Sequence, residues 1–280
     1  MRKWIGACAL ILAAVLAGCG PVPQPSATAT QPDDAPLETG FVLETGFVTE
    51  QILESDEGAI HYSYYLPEDY DPAGNYPMMV VMPGYDMMWF GEDSSGANAS
   101  WNGFRTWTEQ DEPMIVVSAQ LEDWGETSAR QAIALTEYFI SHYAVDETRV
   151  YAAGYSAGGE TMSQAVSMRP DLYAAYLHAA SQWDGDYSPV AENEVAIYIY
   201  MAEGDEYYGP ARAREAFDNL RAAYEARDYS AEEIDEHLRL TLPDAAYFAE
   251  RGITGNYHGA ANIVFDDQQV ISWILAQHKS

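Results

Sequence analysis

The sequence predicts an α/β fold, with a mostly parallel central sheet and helices on both of its faces. Three observations carry this expectation. Apolar runs and amphipathic stretches alternate along the chain, which is the order of a strand-helix-strand protein. Met78-Met79-Val80-Val81-Met82 and Met114-Ile115-Val116-Val117-Ser118 are nearly unbroken apolar runs, as strands buried on both faces must be. The turn Gly154-Tyr155-Ser156-Ala157-Gly158-Gly159 directly follows the short apolar run Arg149 to Ala153, where a strand would pass sharply into a helix.

At the N-terminus Arg2 and Lys3 precede an apolar run from Trp4 to Ala17. That run is too short for a membrane-spanning helix of about 20 apolar residues and has the charge and length of a signal peptide. Its end, Leu16-Ala17-Gly18-Cys19, resembles a bacterial lipobox. The resemblance implies cleavage before Cys19 and a diacylglycerol on its thiol, which would anchor the chain to a membrane outside the cytoplasm. Ordinary secretion with cleavage nearby, or a retained anchor, is the alternative. The expected organisation is therefore a signal peptide over 1–18, a tether over 19–36 rich in Pro, Thr, Gln and Ala, and one catalytic domain over 37–280. Cys8 falls in the discarded segment and Cys19 is the lipidated residue, so the folded domain has no disulfide, cysteine nucleophile or thiolate metal site.

Within the domain the hexamer Leu37-Glu38-Thr39-Gly40-Phe41-Val42 recurs as Leu43-Glu44-Thr45-Gly46-Phe47-Val48, a local duplication near the first strand. Gly58 to Leu66 alternates as a strand does, and Pro67 to Tyr76 is a turn-rich link. The two apolar runs named above follow, then Thr127 to Tyr143 with helical spacing of Ile133, Leu135, Tyr138 and Phe139. After the turn at Ser156 a helix would bury Met162, Ala165 and Val166. Tyr173 to Ala180 and Val195 to Met201 read as strands, Ala211 to Ala226 as a charged helix, and Asp267 to Gln277 as a closing helix with Val270, Trp273 and Ile274 inward.

Charge narrows the partners. The chain holds 13 basic and 44 acidic side chains, a net charge of -31; without Arg2 and Lys3 the balance is 11 against 44, a net of -33. Such a surface repels nucleic acid, so a neutral substrate is the better expectation. Oligomeric state is not readable. No histidine or cysteine cluster has metal spacing and no glycine-rich phosphate loop occurs, so no cofactor or metal is expected.

A Gly-x-Ser-x-Gly turn between strand and helix has a chemical logic. It holds a serine hydroxyl out on a strained backbone, and side chains at 154 and 158 would collide with neighbouring elements. The longer segment from Val145-Asp146-Glu147-Thr148-Arg149-Val150 to Gly158-Gly159 resembles the strand and elbow of secreted α/β hydrolases, namely polyhydroxybutyrate depolymerases, feruloyl esterases and prolyl-oligopeptidase-like enzymes. In order of elements the resemblance runs from about residue 50 to the C-terminus. It implies a single α/β-hydrolase domain and an esterase or peptidase with a Ser-Asp-His triad.

A serine hydroxyl needs an imidazole base, and the imidazole needs a carboxylate. In this fold the chain order is serine, acid, histidine. His61 and His142 precede Ser156, His178 lies in a predicted buried strand, His237 in a charged helical stretch and His278 in the tail. That leaves His258, in the glycine-flanked loop Gly255-Asn256-Tyr257-His258-Gly259. For the acid, the turn Ala202-Glu203-Gly204-Asp205-Glu206 resembles the family's Gly-x-x-Asp pattern and selects Asp205. Glu203 comes next, with Asp184 and Asp186 as a third option. The oxyanion donors would be the N–H of Ala157, by its place after the nucleophile, and that of Tyr85, by alignment with the family's loop; Pro83 stands where members usually have histidine.

Aromatic residues crowd the expected rim. Trp89, Trp183, Tyr207 and Tyr257 are candidate substrate contacts, although core or lid packing explains such rings equally well. The sequence thus points to an extracytoplasmic serine hydrolase cleaving carboxylic esters through an acyl-enzyme on Ser156. A prolyl-oligopeptidase-like peptidase and a catalytically silent surface-anchored binding protein are the alternatives.

Overall fold

In the computed structural model, which describes residues 44–279, eight strands make one sheet. They are β1 (Gly46–Ser55), β2 (Gly58–Leu66), β3 (Tyr76–Met82), β4 (Ile115–Gln120), β5 (Val145–Tyr155), β6 (Ala175–Ala179), β7 (Ala196–Tyr200) and β8 (Leu238–Thr241). The signal peptide, Cys19 and the tether expected from the sequence lie outside the described residues. The sheet order is β1-β2-β4-β3-β5-β6-β7-β8. β2 pairs antiparallel with β1 and β4, and every other pairing is parallel. The six strands from β3 to β8 therefore point their carboxyl ends toward one edge.

Among the described residues nine α-helices lie between and after the strands: α1 (Asn102–Thr108), α2 (Glu126–His142), α3 (Ala157–Met168), α4 (Ser188–Glu192), α5 (Pro210–Glu225), α6 (Ala231–His237), α7 (Ala245–Ala249), α8 (Tyr257–Ala260) and α9 (Gln268–Leu275). α2, α3, α4 and α5 touch in succession as one layer, while α1, a 3₁₀ segment over Ala261–Asp266 and α9 form another. Two strand tyrosines show that these layers lie on opposite faces. Tyr151 hydroxyl donates to Leu275 and Gln277 carbonyls at the end of α9, whereas Tyr176, in register with Ala152, donates to Gly159 in α3. Neighbouring residues on a strand point to opposite faces.

The central strands are fully apolar because both faces are covered: Met78, Met79, Val80 and Val81 of β3 and Ile115, Val116 and Val117 of β4 have no exposed surface. β3 connects leftward to β4 and β5 connects rightward to β6, so the winding reverses between β3 and β5. A crevice opens at the carboxyl ends of strands where such a reversal occurs. Ser156 follows β5 and Pro83 follows β3, so the two loops that matter meet there.

Two elements depart from the sequence expectation. β8 was not expected, nor was the helical structure of the aromatic stretch from Tyr85 to Trp107. It consists of short 3₁₀ turns leading into α1, and Trp101, Phe104 and Trp107 are core residues. Among the described residues no helix is long and apolar enough to cross a membrane.

Candidate active site

Ser156 is the residue at which β5 becomes α3, and it has φ 55° and ψ -124°. A non-glycine residue at such a φ is strained, and strain of this kind is held only by close packing. The glycines supply the packing. A Cβ on Gly158 would lie 2.3 Å from Met82 O and 2.5 Å from Pro83 O, and one on Gly154 would lie 2.6 Å from Gly158 O. Gly159 is equally constrained, by Ser181 Cβ at 2.4 Å. Ser181 Oγ then donates to Ser156 O at 2.7 Å, and Ser156 N–H to Ala179 O at 3.1 Å, pinning the turn to β6.

Three sequence-distant side chains converge on this turn. Ser156 Oγ is 3.0 Å from His258 Nε2, and His258 Nδ1 is 2.8 Å from Asp205 Oδ2. Asp205 Oδ1 accepts the N–H groups of Tyr207, Tyr208 and Gly209 at 2.9, 2.8 and 3.2 Å. Burial of Asp205 opposes its ionisation, but the imidazole and these N–H groups outweigh burial and hold the carboxyl below its ordinary range. The carboxylate can thus fix one imidazole tautomer, leaving Nε2 free to accept the serine proton.

Of the two residues expected to supply oxyanion donors, Ala157 directly follows Ser156, and Tyr85 follows Gly84, where an added Cβ would lie 3.4 Å from Ser156 Cβ. Ala157 N–H opens α3 and Tyr85 N–H opens a 3₁₀ turn, and among the described residues neither donates to a protein acceptor. Beside them is a small, largely apolar recess lined by Met82, Pro83, Met88, Leu121, Ala157 and Thr161, with room for about one water-sized group.

A family model described as the prolyl oligopeptidase family matches residues 118–238, from β4 to the start of β8. A thermostable esterase superposes with a TM-score of 0.68 at 22% identity, covering 83% of this chain and 63% of that one. The fold is that of the α/β hydrolases. The chain thus spans under two thirds of that esterase's length. The feruloyl esterase module of Clostridium thermocellum, an S954A mutant complexed with sinapinate, aligns with this chain at TM-score 0.56 and 15% identity, over 84% of this chain and 89% of the module. A Bacteroides ovatus protein assigned as a dipeptidyl aminopeptidase IV aligns at 0.58 and 14%, over 82% of this chain and 35% of its own. No curated protein matches the sequence.

The structure separates the acid candidates. Glu203 is exposed beside Arg214, 3.4 Å away, and Asp184 and Asp186 are exposed on the loop after β6. His258 stands in the single helical turn α8 rather than in an open loop. The aromatic candidates divide as well. Tyr207, 76% exposed, lies with its ring 5.3 Å from that of His258. Trp183 is core instead, its Nε1 bonded to Gly185 O at 2.9 Å and its ring against Tyr176, His178 and Tyr187. Trp89 stacks on His61 at 3.4 Å, and Tyr257 packs on Phe248 and over Gly204. Three exposed rings, Tyr85, Phe90 and Trp124, pack together beside the Pro83 loop instead.

Sequence reasoning missed the residues that hold the histidine. Glu206 accepts the N–H groups of Tyr257 and His258, both at 3.0 Å, and these contacts hold its carboxyl below the ordinary range. Tyr155 hydroxyl donates to His258 O at 2.6 Å. Their place next to Asp205 and Ser156 was the available signal, since a neighbour in sequence is carried to the same site. His178 is buried, bonded through Nδ1 to Tyr176 hydroxyl at 2.7 Å, and burial lowers it to about 3.

Proposed function

We propose that this α/β hydrolase cleaves carboxylic esters, with Ser156 as nucleophile, His258 as general base and then acid, and Asp205 as its orienting carboxylate. The observation that carries the reading is the continuous relay from Ser156 Oγ to His258 Nε2 and from His258 Nδ1 to Asp205 Oδ2, at 3.0 and 2.8 Å. Ser156 Oγ attacks the acyl carbon while its proton passes to Nε2. The carbonyl oxygen, now negative, lies toward the N–H groups of Ala157 and Tyr85. Collapse expels the alcohol, which takes the proton from His258, and a water activated by the same imidazole then releases the acid. The recess beside Ala157 suits a short acyl group.

The esterase and feruloyl esterase likenesses support ester cleavage, and the prolyl oligopeptidase match supports a second reading as a peptidase. The assembled relay speaks against a silent binding protein. The segment from Arg2 to Cys19 supports a lipid-anchored, extracytoplasmic location, and replacing Cys19 by alanine should abolish labelling by a clickable fatty acid in a bacterial host. Activity is tested with p-nitrophenyl acetate, longer-chain esters, feruloyl esters and proline peptide amides. Acetyl turnover should exceed longer-chain turnover, and both Ser156→Ala and His258→Ala should remove nearly all of it, since the triad acts as a unit. Amide turnover exceeding ester turnover would establish the peptidase instead.

A further inference from the structure

One buried carboxylate near the nucleophile has no part in the relay. Glu160 lies one turn into α3, its N–H bonded back to Ser156 O at 3.2 Å, and it is 7% exposed. Its Oε1 accepts the hydroxyl of Tyr208. Tyr208 belongs to a different element, the loop after β7, three residues past Asp205. Its own N–H is one of the three that hold Asp205 Oδ1. Its ring lies 5.6 Å from that of His258. Burial and the Glu160 carboxylate push the phenol well above its ordinary range, with the neighbouring Ser156 hydroxyl acting in the opposite direction. Tyr208 is therefore in contact with the surroundings of all three relay residues.

The remaining ties of this loop run elsewhere. Glu203 N–H goes to Pro243 O, Glu203 carboxylate to Arg214, and Glu206 carboxylate to the start of α8. Among the described residues, the Tyr208 to Glu160 bond is the side-chain hydrogen bond that joins the acid loop to the nucleophile helix. A carboxylate taken out of water is costly unless a donor meets it, so the pair is a built contact rather than an incidental one.

We propose that Tyr208 is a positioning residue: its hydroxyl, bonded to Glu160, braces the Asp205 loop onto α3, so that Asp205 and His258 are held in line with Ser156 before substrate arrives. The proposal rests on the hydrolase reading above. Misplacing a relay by a fraction of an ångström lowers the chemical step more than binding.

The test compares Tyr208→Phe, Glu160→Gln, Glu160→Ala and the double variant Tyr208→Phe/Glu160→Ala in the full chain. It reads kcat and KM for p-nitrophenyl acetate, the rate of fluorophosphonate labelling at Ser156, and the thermal midpoint. Tyr208→Phe should lower kcat and the labelling rate about 10-fold with KM within about twofold. Glu160→Gln, which keeps an acceptor oxygen, should stay within about threefold of the parent, and the double variant should be no worse than the worse single one, because both remove one bond. A Tyr208→Phe enzyme retaining more than half the parental kcat and labelling rate, or a double variant losing the product of the two single effects, would overturn the brace. Parent protein that labels but does not turn over esters fails the esterase reading alone, and the brace is then decided by labelling rates. Parent protein that does not label at Ser156 overturns both.

Discussion

At the scale of single residues, the site is built from groups whose preferences oppose each other. Asp205 and Glu160 are both largely buried carboxylates close to Ser156, yet Asp205 is held below its ordinary range and Glu160 above it. The difference lies in their partners. Asp205 has an imidazole and three N–H donors, whereas burial dominates at Glu160 and the nearby Asp184 charge reinforces it against the Tyr208 hydroxyl. A carboxyl raised above its ordinary 4.5 in the folded protein destabilises the fold wherever it is ionised. Its cost is absent below the unfolded value and grows as pH rises from there through the folded value. Glu160→Gln should therefore be more stable than the parent at neutral pH, by an amount that disappears as pH falls below about 4.5. Thermal midpoints of the two proteins from pH 4 to 8 check this, and a constant offset across that range contradicts it. Asp205 works with the opposite sign: its stabilisation is present above about 4 and is lost as pH falls through its lower folded value. Ser156, Asp205 and His258 were legible in the sequence because chain order and glycine spacing are local signals. Glu160 and Tyr208 were not, because their meeting depends on how β7 and α3 are placed.

At the scale of elements, the same division recurs. The strands from β2 to β7 were legible because burial on both faces makes them continuously apolar or strongly alternating. β8 and most of β1 were not. β8 is a four-residue edge strand, Leu238-Arg239-Leu240-Thr241, with only Leu238 buried, and β1 exposes Ile52 while bulging at Glu50, whose φ is 62°. Edge strands lack one neighbour, so their pattern resembles a loop. The aromatic stretch after Pro83 stayed ambiguous between core and rim, since a ring in the core and a ring at a rim are the same residue in sequence. The elbow is where element packing and chemistry coincide. Gly158→Ala would place a methyl 2.3 Å from Met82 O, so β3 and α3 would have to separate. We expect a stability loss of about 1–3 kcal/mol by overpacking, measured by urea unfolding. Activity should fall further than stability, because the same displacement moves Ala157 N–H away from Tyr85 N–H. Wild-type kcat in a folded Gly158→Ala protein would refute this account of the turn.

At the scale of the whole molecule, the dominant fact is a net charge of -31 on 280 residues. Among the described residues most of the arginines are paired locally. Arg130 pairs with Glu57 and Glu126, Arg149 with Asp146 and Glu112, Arg169 with Asp171 and Glu137, and Arg221 with Glu225. Exposed pairs of this kind contribute little to stability. Acidic side chains outnumber basic ones 44 to 13, and self-repulsion among them opposes the compact state. Salt shortens the range of that repulsion, from about 30 Å at 0.01 M to about 3 Å at 1 M, while exposed pairs lose little because they contribute little. The net effect of salt is therefore stabilising. The thermal midpoint of the protein should rise by several degrees between 0.01 and 1 M sodium chloride, and most of the rise should occur by about 0.2 M, where the longer separations are already screened. A midpoint that stays level or falls over that range would mean that the arginine pairs, rather than carboxylate repulsion, govern the surface.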